Sequence, residues 1–139
     1  MNRENKSHIK PVVAIEAATY SVDKEGNGID LQGFDSVQLS VNVGESGDTL
    51  SASVKCELVL QESDDNSTFT DVDAADIVGA DAALFALIDE AGKDQALYNV
   101  GYIGNKRYVR VFADFTGTHT NGLPLGAQAL KGHADIKPV

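Results

Sequence analysis

The chain has 139 residues and carries 11 basic against 21 acidic side chains, so its formal net charge at pH 7 is −10. The length fits one domain, and the acidic balance argues against a general nucleic-acid binder and against a surface that binds anionic lipid. The single cysteine, Cys56, excludes an internal disulfide, and no apolar run of about 18 residues predicts a transmembrane helix.

The first segment, residues 1–11, is polar and aperiodic and ends at Pro11, so we expect an extended N-terminal arm. It lacks the apolar stretch of a signal peptide. We expect a single domain over 12–136 and a short tail over 137–139. The arm either stays disordered or becomes ordered only against a neighbouring protein, and its basic residues Arg3, Lys6 and Lys10 are then candidate contacts.

The next segments show the period-2 alternation of strands that are buried on one face. It is perfect over 36–43, recurs over 54–61 with Val59 interrupting the outward polar set, and recurs again over 107–115. A fourth strand is predicted over 96–103, and weaker ones over 12–20, 29–32, 68–72 and 128–136. The residues expected in the core are Val37, Leu39, Val41, Val54, Cys56, Leu58, Leu60, Val109, Val111 and Phe115.

Clusters of turn-forming residues separate these strands. The cluster at 104–106 lies between two strong strands and predicts a hairpin. The stretch 81–88 is rich in Ala and Leu and is the only one that favours a turn or two of helix. Together the elements predict an all-β fold, an antiparallel β-sandwich of jelly-roll-like form with an N-terminal arm and little helix.

The sequence contains no pattern typical of catalysis. It has no phosphate-binding loop, no HExxH and no GxSxG, and His8, His119 and His133 do not form a triad or a zinc set. Cys56 lies on an inward strand face and is expected to be a buried small side chain. We therefore expect no enzyme, no cofactor and no metal. Acidic residues between Asp64 and Asp76 have the oxygen ligands that calcium needs, but Asp and Asn also favour tight turns.

Charge is unevenly distributed along the chain. Residues 1–10 carry a net +2, residues 11–100 carry −15 and residues 101–139 carry +3. An acidic body with basic ends fits a protein whose ends dock on an acidic neighbour, although the same residues could simply be solvated.

An aromatic and basic strand face is the strongest candidate for a protein interface. Tyr108, Arg110 and Phe112 share this face, Arg107 directly precedes them as a further candidate contact, and Val59 is an exposed apolar position on a second strand. Tyr and Arg anchor interfaces because they bury large areas and still form directed hydrogen bonds. The alternative is that a segment of the same chain covers this face.

Three blocks of the sequence, 29–44, 60–72 and 100–111, resemble small structural proteins of tailed bacteriophages and prophages, encoded near the capsid genes. The resemblance implies a virion structural protein, specifically a capsid decoration (cement) protein that binds the outer surface of the head and stabilises contacts between capsomers. The implied partners are the major capsid protein and the protein itself, as a dimer or trimer, with no nucleic acid and no membrane. Its implied location is the capsid surface, after synthesis in the bacterial host cytoplasm.

Two alternatives to capsid decoration remain open. One is a head–tail or tail accessory structural protein. The other is a carbohydrate-binding module, because the Ser-Asp-Asp hairpin of the second block is similar to a turn in discoidin-type sandwiches.

Overall fold

Two antiparallel β-sheets face each other across an apolar core in the computed structural model, which describes residues 3–139. Strands make up 53% of the chain and helix 2%, so the predicted all-β sandwich with little helix is confirmed. The strands are β1 (Lys10–Tyr20), β2 (Lys24–Glu25), β3 (Ile29–Asp30), β4 (Phe34–Val43), β5 (Lys55–Ser63), β6 (Thr70–Asp71), β7 (Ile77–Val78), β8 (Leu84–Ile88), β9 (Ala96–Tyr102), β10 (Tyr108–Thr116) and β11 (Leu123–Ala134).

Each sheet combines strands that are distant in the sequence. The first sheet, which we call sheet A, has the order β1-β11-β4-β9-β7. The second, sheet B, has the order β2-β10-β5-β6, with β3 also paired to β10 and β8 also paired to β5. The long central strands β4, β5, β10 and β11 therefore determine the two faces that pack together.

The alternation of apolar residues produces the core as expected. The inward side chains of β4, β5 and β10 are buried, with Leu39, Leu58 and Val111 fully inaccessible. Val54 and Phe115 were predicted to be buried but are only half-buried. Val54 precedes β5 in an isolated bridge with Ser51, and Phe115 lies near the end of β10, where it still packs against the core.

Two local predictions are wrong. The stretch 81–88 contains no helix: residues 84–88 form β8, which pairs with β5 and buries Ala86 and Ile88. The cluster 104–106 does not form a hairpin, because β9 belongs to sheet A and β10 to sheet B. The hairpin error arises because pairing between distant segments decides which sheet a strand joins.

The N-terminal arm ends earlier than the sequence indicated. Lys10 and Pro11 belong to β1, where they lie opposite Lys131 and Leu130 of β11. Within the described part of the arm, the carbonyl oxygen of Ser7 accepts a hydrogen bond of 3.2 Å from the amide of Val139. The two ends of the chain therefore meet, while residues 1 and 2 of the predicted arm lie outside the described residues.

Candidate functional site

The outward side chains of β10 and β5 form the outer face of sheet B. Antiparallel pairing places Tyr108 opposite Ser63, Arg110 opposite Gln61 and Phe112 opposite Val59. The structure thus brings four of the predicted interface residues together, namely Val59, Tyr108, Arg110 and Phe112. All four are half-buried.

An apolar row crosses three strands of this face. Phe112 of β10 lies opposite Val59 of β5, and Val59 lies opposite Leu84 of β8. Leu84 remains 39% exposed. Side chains opposite one another on antiparallel strands are in contact range, so the three form one continuous apolar strip in water. We call this strip the apolar row.

Leu84 was missed at the sequence level because residues 81–88 were interpreted as helical. A β-bulge between Leu84 and Ala86 breaks the alternation that would otherwise have marked a strand. The remaining signal was a short apolar run, Leu84–Ile88, between turn-forming residues, which is also typical of a buried strand.

Arg110 is held by side chains of its own chain. Its Nε donates a 2.8 Å hydrogen bond to Oε1 of Gln61, and its guanidinium carbon lies 4.1 Å from the centre of the Phe69 ring. Glu25 of β2 adds an ion pair at 3.5 Å. The Arg110 side chain is only 16% exposed. Arg110 is therefore covered by residues of its own chain, which was the alternative to coverage by an external partner.

Arg107 lies at the edge of the face and is bound to Asp30. Its Nε and Nη2 donate to the two carboxylate oxygens at 2.9 Å each, and Nη2 also donates to Gln32 at 2.7 Å. The hydrogen bonds from Arg107, followed by that from the Gln32 amide, lower the pKa of Asp30 to about 2. This pair ties the residue before β10 to the last residue of β3, and the contact with Gln32 extends the link into the loop that follows.

The other predicted basic contacts lie elsewhere. Lys10 is in sheet A, paired with Lys131, and Arg3 and Lys6 are exposed on the segment that precedes it. The structure therefore separates the predicted residues into an arm set, Arg3, Lys6 and Lys10, and a sheet B set.

Carboxylates border the apolar row on one side. Asp114 lies opposite Glu57, two residues along the strands from the opposed pair Phe112 and Val59, and Lys55 forms a 3.0 Å ion pair with Glu57. Burial, and next the charges of Asp23 and Glu57, raise the pKa of Asp114.

A polar network closes the end of the sandwich nearest the Arg107–Asp30 pair. The Tyr102 hydroxyl donates to Oε1 of Glu62 at 2.7 Å and accepts from the Lys106 amide at 3.0 Å. Lys106 Nζ lies 2.8 Å from the Asp64 carboxylate. A Cβ added to Gly104 would lie 2.5 Å from the Tyr102 hydroxyl oxygen, so the connecting loop closes over Tyr102 only with glycine.

This network joins three segments of the sequence, 29–44, 60–72 and 100–111. The Arg107–Asp30 pair links the third block to the first, and the Tyr102–Glu62 and Lys106–Asp64 contacts link the third to the second. The three segments therefore meet in space at one end of the sandwich, where the Tyr102–Glu62 contact joins the two sheets.

The candidate metal and reactive groups have structural roles. Among residues 3–139, no group of three or more His, Cys, Asp or Glu side chains is placed to hold a metal ion. In the acidic segment, Asp65 accepts hydrogen bonds from the amides of Ser67 and Thr68, which is the turn role of Asp. Cys56 is buried, and burial raises the pKa of its thiol to about 12. His119 packs edge-on against Phe115 with ring centres 4.9 Å apart.

Comparison with protein-family models, with curated proteins and with solved structures found no match. Within residues 3–139, no helix has the length and apolar character needed to cross a membrane.

Proposed function

We propose that this protein is a non-enzymatic structural protein of a bacteriophage virion, which decorates the capsid by docking on the outer surface of the head. The sequence resemblance supports the class of partner, the major capsid protein. The apolar row supports the docking surface, and it is the observation that carries the proposal.

The row has the composition of an interface centre. Phe112, Val59 and Leu84 form an apolar strip, and charged or polar groups such as Arg110, Glu25 and Glu57 surround it. An apolar centre inside a polar rim is typical of protein–protein contacts, where the rim excludes water from the few residues that contribute most. Because these side chains project from paired strands, the surface is preorganised and loses little entropy on binding.

Decoration stabilises a shell by mass action. A protein that binds the assembled shell and not the free subunits shifts the equilibrium between subunits and shell toward the shell. The shift grows with the concentration of the protein relative to its dissociation constant. The hydrogen-bonded network around Tyr102 contributes by holding the two sheets in one arrangement while the outer face of sheet B is bound to the head.

Co-sedimentation tests the proposal. The purified full-length chain is mixed with expanded heads of the tailed phage or prophage whose genome encodes it, and in parallel with tails purified without heads. We expect saturable binding to heads, and heads that disassemble at a higher temperature when the protein is bound. Binding to tails alone would overturn head decoration in favour of a tail accessory protein. Binding to a glycan array with no affinity for either particle would overturn a structural role in the virion.

A further inference from the structure

Basic side chains gather where the two ends of the described chain meet. Strand pairing places Lys10 of β1 opposite Lys131 of β11, and the Ser7 carbonyl oxygen accepts a hydrogen bond from the Val139 amide. Residues 3–10 and 130–139 hold five of the 11 basic side chains of the protein and two of its 21 acids. The five, which we call the basic end, are Arg3, Lys6, Lys10, Lys131 and Lys137. Because the whole chain carries −10, the rest of its surface is strongly acidic.

The acids near the basic end leave its charge balance positive. Glu4 accepts a 3.0 Å hydrogen bond from the Ser7 amide and lies 3.9 Å from His8 Nε2. Asp135 is the only other acid of the two segments and is exposed. On the neighbouring strands, Asp30 is bound to Arg107, and Asp35 lines a different groove.

Two ammonium groups of the basic end are placed against each other. Like charges directly opposite on paired strands destabilise a sheet, as with Lys10 and Lys131 here. Burial, and next the charge of Lys10, lower the pKa of Lys131. Lys131 Nζ donates to the Asp30 carbonyl oxygen at 3.1 Å, and neither lysine forms an ion pair with a carboxylate of residues 3–139. A bound anion would therefore offset a repulsion that the chain itself leaves uncompensated.

A groove of about 470 Å³ opens at this end of sheet A. Its lining contains a hydroxyl, an amide, two imidazoles and an ammonium group, together with apolar walls, and no carboxylate. The lining residues are His8, Ile9, Ser36, Val37, Gln38, Leu130, Gly132, His133 and Lys137. Three other surface grooves each contain at least one carboxylate, for example that of Asp35, Asp48 or Asp64.

One contact orients a side chain of this groove. The Ser36 hydroxyl oxygen lies 2.8 Å from His133 Nδ1, and a Cβ added to Gly132 would lie 2.8 Å from the same hydroxyl oxygen. When the hydroxyl donates to Nδ1, the ring proton is on Nε2, which is then a donor for a ligand. His133 has a φ of 51°, in the left-handed region that is costly for a residue other than glycine. Strained backbone that holds a polar side chain in place is a feature of binding sites.

We propose that this groove binds an acidic segment of a partner protein, with its aspartate or glutamate carboxylates held by Lys137 and His133 and attracted by the rest of the basic end. Ammonium, imidazole and amide groups all donate hydrogen bonds to carboxylates, and charged donors give the stronger bonds. The apolar walls of Ile9 and Leu130 suit the methylene groups of a glutamate side chain, which a free inorganic anion lacks.

A nucleic acid fits this surface less well than a short acidic segment. Its phosphates are closely and evenly spaced, so they would continue beyond the basic end onto the acidic remainder of the chain and be repelled there. The inference does not depend on the capsid proposal, because the groove lies on sheet A and its ligand is tested without heads.

Fluorescence anisotropy with a labelled hexaglutamate peptide tests the proposal on the full-length chain. We expect saturable binding that weakens as salt is added, because salt screens the attraction between exposed charges. Hexaglutamine should not bind, and inorganic phosphate and a single-stranded DNA oligonucleotide should bind more weakly than hexaglutamate. In NMR spectra, hexaglutamate should shift the amide signals of Ser36, Gln38 and Gly132.

Lys137→Gln is expected to weaken hexaglutamate binding about threefold, and the double variant Lys10→Gln, Lys137→Gln about tenfold, since each change removes one exposed charge. Lys24→Gln is the matched control, because it removes the same charge from β2, beside Tyr20 at the far end of β1 from Lys10. We expect it to bind like the wild type. His133→Gly removes the imidazole while accommodating the φ of 51°, so this variant should fold and bind more weakly.

Several results would overturn the proposal. These are no binding of hexaglutamate at low salt, tighter binding of phosphate or DNA than of hexaglutamate, and shift changes on the outer face of sheet B instead of the groove. Equal losses in Lys24→Gln and Lys137→Gln would show an effect of net charge alone. Leu84→Glu should bind hexaglutamate like the wild type, which keeps this proposal distinguishable from docking through the apolar row.

Discussion

The hydroxyl of Tyr102 on sheet A donates a 2.7 Å hydrogen bond to the carboxylate of Glu62 on sheet B. Both side chains are buried, Tyr102 to 4% exposure and Glu62 to 9%. Burial, followed by the hydrogen bond to Glu62, raises the pKa of Tyr102, so the phenol keeps its proton at neutral pH. One polar contact between the two layers therefore fixes how the sheets meet at this end of the sandwich.

Tyr102→Phe tests the energetic role of that contact. The change leaves the ring in place but removes a partner from a buried carboxylate and from the Lys106 amide, so we expect a loss of roughly 1–3 kcal/mol of unfolding free energy. Chemical denaturation measures it. Tyr108→Phe is the control, because it removes the same hydroxyl from a half-buried side chain on an outer face. Equal stability of the two variants would contradict the assigned role.

Leu58→Ala tests the packing of the two sheets. Leu58 is completely buried, and truncating such a leucine typically costs about 2–5 kcal/mol through lost burial and the cavity that remains. Leu84→Ala removes the same atoms from an exposed position and should cost much less. A Leu58→Ala variant with the same melting temperature as the wild type would show that this face of β5 is not in the core.

The Arg107–Asp30 pair predicts a measurable titration. Because the pKa of Asp30 is lowered from 3.8 to about 2, its pairing stabilises the fold above pH 3.8, and that stabilisation is lost as the pH falls toward 2. An NMR titration of the Asp30 carboxyl should show the low pKa, and Arg107→Gln should return it toward 3.8. Arg110→Gln should leave it unchanged. A wild-type value already near 3.8 would mean that the pair does not form.

Asp114 predicts the opposite pH dependence. Its pKa is raised above 3.8 by burial and by the charges of Asp23 and Glu57, so the folded state binds a proton more tightly than the unfolded state. Ionised Asp114 therefore destabilises the fold as the pH rises through the raised pKa. We expect Asp114→Asn to raise the melting temperature at neutral pH and to have no such effect below pH 3.8. Asp81→Asn, at an exposed acid, controls for the change in net charge. An equal rise in melting temperature in that variant would show that the effect does not come from the surroundings of Asp114.

The strands with clean alternation could be predicted from the sequence, and the sheet they join could not. The outward grouping of Tyr108, Arg110 and Phe112 follows directly from period 2 and is present in the structure. The groups that cover Arg110 could not be foreseen, because Glu25 belongs to a two-residue strand and Phe69 directly precedes another. Such short strands exist only through pairing with β10 and β5, so no local pattern marks them.

The bulge in β8 had a larger consequence for the candidate site. It moves Leu84 onto the outer face while Ala86 and Ile88 stay in the core, which disrupts both the strand period and the helix period. The apolar row was therefore visible in the sequence only as Val59 and Phe112, two residues with no evident relation. Phe112, Val59 and Leu84 become neighbours only because β10, β5 and β8 pair side by side in sheet B.

Binding of surface variants to expanded heads tests the central claim most directly. Leu84→Glu and Phe112→Ser alter the apolar row, and Val78→Glu introduces the same charge at a 53% exposed valine on the edge of sheet A. Capsid decoration through the row predicts that the first two variants melt as folded proteins but no longer co-sediment with heads, while Val78→Glu binds like the wild type. Full binding by folded Leu84→Glu and Phe112→Ser would contradict the account.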